Sequence, residues 1–510
     1  MSLNGAFLFL MIYMEKILYE DIERQAIQIK ERFELYHNNI ERWHQRVSNI
    51  YTNPPNKIIS VPAEWDKDSK FNPYYVLKRN TQISKSVARK ILNKTYKPNT
   101  PHYKTIPKKG GGTRKLSIYQ IQDSAVSYRM YKNLLQKNKH RFSSFSYAYR
   151  DDKNLHFAIE DIFSEINTTP RIFVAEFDFK KFFDSIQHDY LFKQLKSNSF
   201  NVSPIEENII KAFIDNEEKK GIPLGTSISL FLANVVCWKL DRQLEDLGIR
   251  FARYADDTII WTKNYDKISR AFDIIYKFSE ESGIEINFDK SDGISLLKRN
   301  EMSTEFTNHK EFIEFLGYKI STENISIKDS SVDKIKDHIS SLLYKNLLQP
   351  LNSAPIHSSN IPSGGRDKNF LSAMMEIRRY LYGNLTEETL KKYMNGTYKV
   401  LSFKGIMSFY PLITDIELLK DLDRWLLSTI LNIVELRRKK LLANNPSFID
   451  YQPPFKLNKN QLLGHCKNTV IGIKSGLLEI PSFLRIYNAL NFGVKNYGVE
   501  VVMNPRSLYY

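Results

Sequence analysis

Asp256 and Asp257 sit between two apolar stretches, in Phe251-Ala-Arg-Tyr-Ala-Asp-Asp-Thr-Ile-Ile-Trp261. This pattern predicts strand, tight turn, strand, with two carboxylates at the turn. Adjacent carboxylates repel unless a cation sits beside them, and hard cations such as Mg²⁺ take oxygen ligands. Taken alone, most such pairs are solvated turns. A second element changes the balance: Ile172 to Phe177 is an apolar strand that ends in Asp178, with an aromatic cluster and Asp184 behind it. A carboxylate at the end of a buried strand needs a partner or a metal. If this strand lies beside the hairpin, Asp178, Asp256 and Asp257 converge. Three carboxylates suit a two-metal phosphoryl or nucleotidyl transfer site, where one ion activates an attacking hydroxyl and the other stabilises a leaving pyrophosphate.

Two further segments could serve such chemistry. Ile106-Pro-Lys-Lys-Gly-Gly-Gly-Thr-Arg-Lys-Leu-Ser-Ile118 carries Lys108, Lys109, Arg114 and Lys115 around a tip of three glycines. A mobile basic hairpin can close over a triphosphate, although a basic Gly-rich hairpin is often only an exposed turn. Gly221-Ile-Pro-Leu-Gly-Thr-Ser-Ile-Ser-Leu-Phe-Leu-Ala-Asn-Val235 places a Gly/Pro loop before an apolar helix. The helix N-terminal amides could approach a phosphate or a base. Its plain alternative is a buried helix with a flexible start.

The elements that must hold these residues follow from periodicity. Ile17, Ile22, Ala26, Ile27 and Phe33 recur among charges, predicting a helix from 15 to about 50. Pro54, Pro55 and Pro62 mark residues 51–65 as a linker or loop. Short strand-like runs alternate with helical patterns from about 70 to 320, a mixed α and β reading. Beyond 330, Val332, Ile335, Ile339, Leu342 and Leu343 lie at helical spacing with Ser331 as the expected N-cap. Residues 349–366 and 445–458 read as Pro-containing loops. A long helix is expected from about 414 to 442, with Arg437, Arg438, Lys439 and Lys440 at its C-terminal end, where positive charge suits the helix dipole. The expected division is 1–65, an N-terminal helical extension; 66–325, the chemistry-bearing part; and 326–510, all helical.

The chain has 510 residues, 42% hydrophobic, which argues against wholesale disorder. Lys and Arg number 74 against 57 Asp and Glu, a formal charge of +17, so a polyanion is the favoured partner. Aromatic residues reach 13%, enough to supply base-stacking surfaces as well as core. Cys237 and Cys466 are the only cysteines, which excludes a disulfide scaffold and a cysteine-ligated zinc site and fits a reducing cytoplasm. The apolar run Ala6 to Met14 is too short to span a bilayer and lacks a basic leader, so it is expected to be core or a docking segment. No membrane association is expected.

Taken in order, these segments resemble the reverse transcriptase signature. The blocks are the hairpin Lys108 to Leu116, Phe145-Ser-Tyr-Ala-Tyr-Arg150, Phe177-Asp-Phe-Lys-Lys-Phe-Phe-Asp184, and Gly221-Ile-Pro-Leu-Gly225 with Ser229 and Leu232-Ala-Asn234. Tyr254-Ala-Asp-Asp257, Asn287-Phe-Asp-Lys290 and Phe315-Leu-Gly-Tyr318 follow. Group II intron and retron enzymes share this layout, and the long helical C-terminal part is similar to that of bacterial defence-associated, abortive-infection-like reverse transcriptases. The resemblance implies an α+β right-hand polymerase, with fingers, an antiparallel-sheet palm, a thumb and an α-helical C-terminal domain. It implies RNA-directed DNA synthesis from dNTPs, two Mg²⁺ ions, RNA and DNA partners and a role in antiphage defence.

Carried onto this sequence, Asp178 and Asp256 would be the main ligands of both ions, with Asp257 assisting. Phe183 stands where the family places its steric gate against a ribose 2′-hydroxyl. Lys108 or Lys109 and Arg114 would hold the triphosphate, Gly225 belongs to the substrate loop, and Lys290 could protonate the leaving pyrophosphate. Two positions depart from the family: Leu224 stands where a Gln is usual, and Ser229-Leu230 where Ser-Pro is usual. That loop normally touches the template base and the incoming nucleotide, so its change bears on templated copying. Some defence-type enzymes copy a dedicated noncoding RNA, work without a template, or prime from a protein hydroxyl. Tyr13, Tyr509 and Tyr510 are candidate nucleophiles for such priming. Two rival readings use the same residues: a template-independent DNA nucleotidyltransferase, and a basic RNA-binding scaffold with an inactive polymerase domain. The basic helical C-terminal part could bind RNA, self-associate into a homo-oligomer, or both.

Overall fold

One five-stranded sheet with two apolar faces organises the computed structural model. The structure describes residues 3–48, 51, 53–107, 111–289, 291–299, 301–304, 306–352, 355–363, 367–383, 385–398, 401–444, 453–467 and 479–503. The strands used below are β1 (His102–Pro107), β2 (Thr113–Ile118), β3 (Arg171–Phe177), β4 (Arg250–Tyr254), β5 (Asp257–Thr262), β6 (Ile294–Lys298), β7 (His309–Lys310), β8 (Phe312–Phe315), β9 (Tyr318–Ser321) and β10 (Ile325–Ile327). The large sheet has the order β4-β5-β3-β6-β7 and is antiparallel except for β6 with β7. β1 and β2 form a separate hairpin, and β10-β9-β8 a small antiparallel sheet. The fold class is therefore α+β, as expected.

Successive side chains on a strand point to opposite faces, and here both faces are covered. Ala175, Phe177, Phe251 and Ile260 face a core shared with the helices Ile121–Asn138, His188–Ser197, Pro204–Ile214, Ser227–Asp246 and Tyr265–Ser282. Ile172, Val174, Ile259 and Trp261 face a second core, shared with the helix Leu155–Ile166, the small sheet and the C-terminal helices. Burial on both sides explains why these strands read as nearly continuous apolar runs.

The N-terminal helix runs from Leu3 to Ser48. At 1.5 Å per residue it is about 70 Å long. Leu18, Ile22 and Ala26 are buried against the helix Pro73–Leu92, and the buried Asp21 carboxylate pairs with Arg24 and with Arg129. Within the 6–14 run, expected to be core or a docking segment, Phe9, Leu10, Ile12 and Tyr13 are exposed, so these four are not core, while Met14 packs against it. Among the described residues no helix is long and apolar enough to cross a membrane.

Among the described residues from Asp329 onward the regular elements are helical, with α-helices that include Asp329–Leu343, Lys368–Tyr382, Glu387–Met394, Ile416–Asn444, Lys459–Lys467 and Phe483–Tyr497. Two local readings need correction. The first helix is capped at Lys328, not Ser331, because the Lys328 amide donates to the Gly317 carbonyl at 3.1 Å and ties the helix start to the β8–β9 turn. Arg437 is not a solvated charge complementing a dipole. It is fully buried, with Nε on Asp367 Oδ2 at 2.7 Å and Nη1 on the Leu347 carbonyl at 2.8 Å. That carbonyl belongs to the π-helical turn Tyr344–Leu348. Much of the 445–458 loop lies outside the described residues.

β8 and β9 are joined by Leu316 and Gly317, both with positive φ, as a two-residue hairpin turn requires. The Tyr318 hydroxyl that follows donates to the Phe409 carbonyl at 3.1 Å and lies 3.2 Å from His156 Nδ1. His156 is almost completely buried, and burial pulls its pKa down to about 4. The unfolded chain titrates this group near the ordinary value of 6.5. Between those two values the unfolded state takes up a proton that the folded state refuses, so stability falls as the pH drops from 6.5 toward 4. Fully developed, the loss is about 3 kcal/mol; above pH 6.5 it is absent. His156→Gln is expected to flatten this part of the profile, measured as urea midpoints at neutral pH and near pH 4.5. A drop as steep as that of the wild type would sink the assignment.

Candidate active site

The register of the sheet sets the strand ends that carry the sequence-predicted carboxylates side by side, at one end of two neighbouring strands. Phe177 pairs with Thr258, so the next residue of β3, Asp178, lies beside the start of β5 at Asp257. Tyr254 pairs with Asp257, which makes Ala255 and Asp256 the two-residue loop of the β4–β5 hairpin. Neighbouring strands run about 4.8 Å apart. Asp178 is buried, Asp256 half-buried and Asp257 exposed. The three are thus not equivalent, because successive residues cannot point the same way. Among the described residues no three His, Cys, Asp or Glu side chains are gathered as a metal-ligand cluster. The donor chemistry fits a hard cation nonetheless: carboxylate oxygens alone, from two adjacent strand ends.

Asp178 is held from the segment before β6. Asn287 Nδ2 donates to Asp178 Oδ2 at 2.8 Å, and the Asn287 amide donates to the Asp178 carbonyl at 2.8 Å. The Asp178 amide donates to Ser291 Oγ at 3.3 Å. Sequence reasoning missed Asn287, although it opens the Asn287-Phe-Asp-Lys290 block. Two residues earlier on the same face, Glu176 is bridged by Lys310, whose Nζ also reaches Asp292, at 2.8 and 2.7 Å. Burial raises the Glu176 pKa and Lys310 opposes the rise. Beneath the hairpin turn, burial pushes the Cys237 thiol up to about 12, with Asp241 and Asp256 adding to the push and Arg253 opposing it. That thiol stays protonated and inert.

The Gly221–Gly225 loop closes the other side. Its Ile222 amide donates to the Phe183 carbonyl at 2.8 Å, and Gly221 donates to Ile186 at 2.7 Å. Phe183 is half-buried, edge-on to Phe182. Gly225 has φ +110°, and a Cβ there would stand 2.5 Å from the Ser117 carbonyl oxygen. Glycine is needed for both reasons. One residue earlier, the Leu224 carbonyl accepts from the Ser117 amide at 2.8 Å. This contact docks the substrate-loop candidate on the base of the β1–β2 hairpin. Ser229 Oγ donates back to the Pro223 carbonyl at 2.7 Å.

Arg114 lies on β2, exposed, three residues from Ser117 and hence about 10 Å further out along the strand. Lys115 stands over the Tyr103 ring at 3.6 Å. Lys108, Lys109 and Lys290 lie outside the described residues, as do Tyr509 and Tyr510; Tyr13 is exposed on the N-terminal helix.

Comparison with known proteins bears on the same segment. Residues 106–320 match the family described as "Reverse transcriptase (RNA-dependent DNA polymerase)". The chain is 24% identical over 439 residues to the "Putative COX1/OXI3 intron 1 protein" of Saccharomyces cerevisiae, which covers 72% of this chain and 50% of that protein. It is 27% identical over 198 residues to the "Retron Ec86 reverse transcriptase" of Escherichia coli, covering 37% of this chain and 57% of that one. Among solved structures, apo telomerase from Candida Tropicalis is similar at a TM-score of 0.38 and 12% identity, over 80% of this chain and 65% of that one. The chain spans 50% and 57% of the two curated relatives.

Proposed function

We propose that the chain is an RNA-directed DNA polymerase that adds dNTPs to a 3′-hydroxyl, or to a protein hydroxyl at initiation, by two-metal nucleotidyl transfer. The observation that carries this reading is the placement of Asp178 beside the Asp256-Asp257 turn, inside the segment that matches the reverse transcriptase family. In this reading the large sheet is the palm, the β1–β2 hairpin belongs to the fingers and the helical C-terminal part supplies the thumb.

Asp178 and Asp256 would hold two Mg²⁺ ions, with Asp257 at their edge. When bound, these ions lower the pKa of the attacking hydroxyl and take up charge on the leaving pyrophosphate. The chain's own residues do the positioning. Asn287 fixes the Asp178 carboxylate, so that it need not reorganise as substrate arrives. Arg114 and Lys109 would hold the triphosphate, and Lys290 would hand a proton to the pyrophosphate. Phe183, pinned by Ile222, would press its ring against the sugar and exclude a 2′-hydroxyl. Two buried free thiols fit a cytoplasmic setting. The basic balance fits RNA as template or companion, and the proposed biological setting is antiphage defence.

The test uses full-length protein with Mg²⁺, one labelled dNTP at a time, and either no added nucleic acid or a primed RNA template. Incorporation by the wild type and not by Asp256→Ala/Asp257→Ala supports the polymerase. Incorporation that ignores the template would favour the template-independent reading, for which Leu224 is the sequence argument. A protease-sensitive product would support protein priming. No incorporation under any of these conditions would move the assignment to an RNA-binding scaffold.

A further inference from the structure

Three sequence blocks contribute no atom to the chemistry proposed above: Phe145 to Arg150, Leu232-Ala-Asn234, and the Arg253-Tyr254 pair that precedes the carboxylates. The structure joins them through one side chain. Arg253 is fully buried. Its Nε and Nη2 clasp Asp241 Oδ1 and Oδ2 at 2.7 and 2.6 Å. Nη2 also donates to Ser146 Oγ at 2.8 Å, and both terminal nitrogens reach Asn234 Oδ1 at 3.3 Å. The remaining bond goes forward along the chain: Nη1 donates to the Ala255 carbonyl at 3.1 Å.

That carbonyl belongs to a residue in an unusual state. Ala255 has φ +62°, a left-handed conformation that a side chain with a Cβ disfavours. The same residue opens the turn that carries Asp256. Behind the guanidinium, the Arg253 backbone is fixed as well: its amide donates to the Phe145 carbonyl and its carbonyl accepts from the Tyr147 amide, each at 2.9 Å. Asn234 Nδ2 in turn donates to the Ala148 carbonyl at 3.0 Å.

We infer that Arg253 is the positioning residue of this site: by bonding the Ala255 carbonyl from an anchor built of Asp241, Ser146 and Asn234, it fixes the left-handed turn that aims Asp256 and Asp257. The inference rests on the polymerase reading for its functional consequence, but the structural claim stands apart from it. The geometry demands arginine. A planar fork delivers five N–H groups in fixed directions, whereas an ammonium is a point charge on a flexible stem. Lysine could neutralise Asp241, but it could not at the same time hold the Ala255 carbonyl.

A second buried arginine supplies the control. Arg437 clasps Asp367 in the same bidentate way, but its other bonds go to the Leu347 and Asn360 carbonyls in the helical C-terminal part. Arg253→Lys and Arg437→Lys therefore make the same chemical change, one behind the turn and one away from it. The experiment measures four quantities on full-length wild type and both variants: Tm, hydrogen exchange of the peptide spanning residues 254–258, Mn²⁺ affinity by electron paramagnetic resonance, and dNTP incorporation per folded molecule.

Arg253→Lys is expected to speed exchange in the turn by about tenfold, weaken Mn²⁺ binding by about 10–100-fold, and lower kcat by about 100-fold with KM for dNTP little changed. Arg437→Lys is expected to lower Tm and move none of the other three. Should Arg253→Lys fail to fold, Ser146→Ala keeps the Arg253–Asp241 pair, removes one anchor, and should speed exchange in the turn by about threefold. Turn exchange and Mn²⁺ affinity equal to wild type in the folded variant, with only Tm reduced, would overturn the inference. A wild type that incorporates no nucleotide would instead remove the polymerase reading, and the exchange comparison would still decide the role of Arg253.

Discussion

Asp178→Asn is expected to cut nucleotide incorporation by at least about 10³-fold while moving Tm by no more than about 4 °C. The substitution is isosteric. An amide oxygen at this position still accepts from Asn287 Nδ2, which reaches Asp178 Oδ2 at 2.8 Å. What is lost is the charge. Metal-assisted stabilisation of a developing phosphoryl charge is worth several kcal/mol, and each factor of ten in rate corresponds to about 1.4 kcal/mol, so three orders of magnitude is the minimum expected. Stability should not follow activity down. Asp178 lies beside two further carboxylates at the hairpin turn, and removing one negative charge from such a group relieves repulsion. Thermal melts with and without Mg²⁺ supply the second reading. Wild type should gain from the ion as binding to the folded state dictates, about 2.7 kcal/mol at one hundred times Kd, and the variant should gain far less. A variant within tenfold of wild-type activity would make Asp178 an ordinary capped carboxylate at a strand end.

How far the sequence led can be judged from these same residues. The strand before Asp178 and the hairpin around Asp256 were legible because apolar runs broken by a turn signal depend on local chain chemistry. The convergence of the two was conditional on strand pairing; the register of β3 with β5 sets the two strand ends side by side, but among the described residues the three carboxylates are not gathered into one metal-ligand cluster. The residues that hold the carboxylates were not legible. Asn287 reaches Asp178 across 109 positions and Arg253 reaches Ser146 across 107. No local pattern distinguishes an arginine that will be buried on a distant aspartate from one that will be solvated. Arg437 shows the same limit: next to Arg438, Lys439 and Lys440 it reads as part of a basic helix end, yet it points inward to Asp367, 70 positions away. The Ala6–Met14 run failed in the opposite direction. Phe9, Leu10, Ile12 and Tyr13 are exposed, whereas Met14 packs against the core and Leu18, Ile22 and Ala26 are fully buried in it.

Arg437 carries the largest expected effect on stability. Arg437→Met keeps an apolar stem in place and removes every polar contact. Asp367 then stays buried, at 1% exposure of its side chain, and among the described residues the amides of Asn369 and Phe370 at the start of the next helix are the donors left to it. The Leu347 and Asn360 carbonyls lose their partner as well. Breaking one side of a buried ion pair costs about 3–5 kcal/mol, much of it the penalty of the stranded charge. Asp367→Asn in the Arg437→Met background should therefore recover part of the loss. A neutral Asn still caps the helix beginning at Lys368, because its side-chain oxygen accepts the same amide bonds. The two single variants and the double variant form a cycle whose coupling measures the stranded charge directly. Urea denaturation gives the stabilities, and dNTP incorporation per folded molecule should stay at the wild-type level throughout, since the pair touches no residue of the carboxylate site. A loss below about 1 kcal/mol for Arg437→Met would mean that water or a neighbouring cation reaches Asp367 once the guanidinium is gone, and that the helical C-terminal part is held by its apolar packing alone.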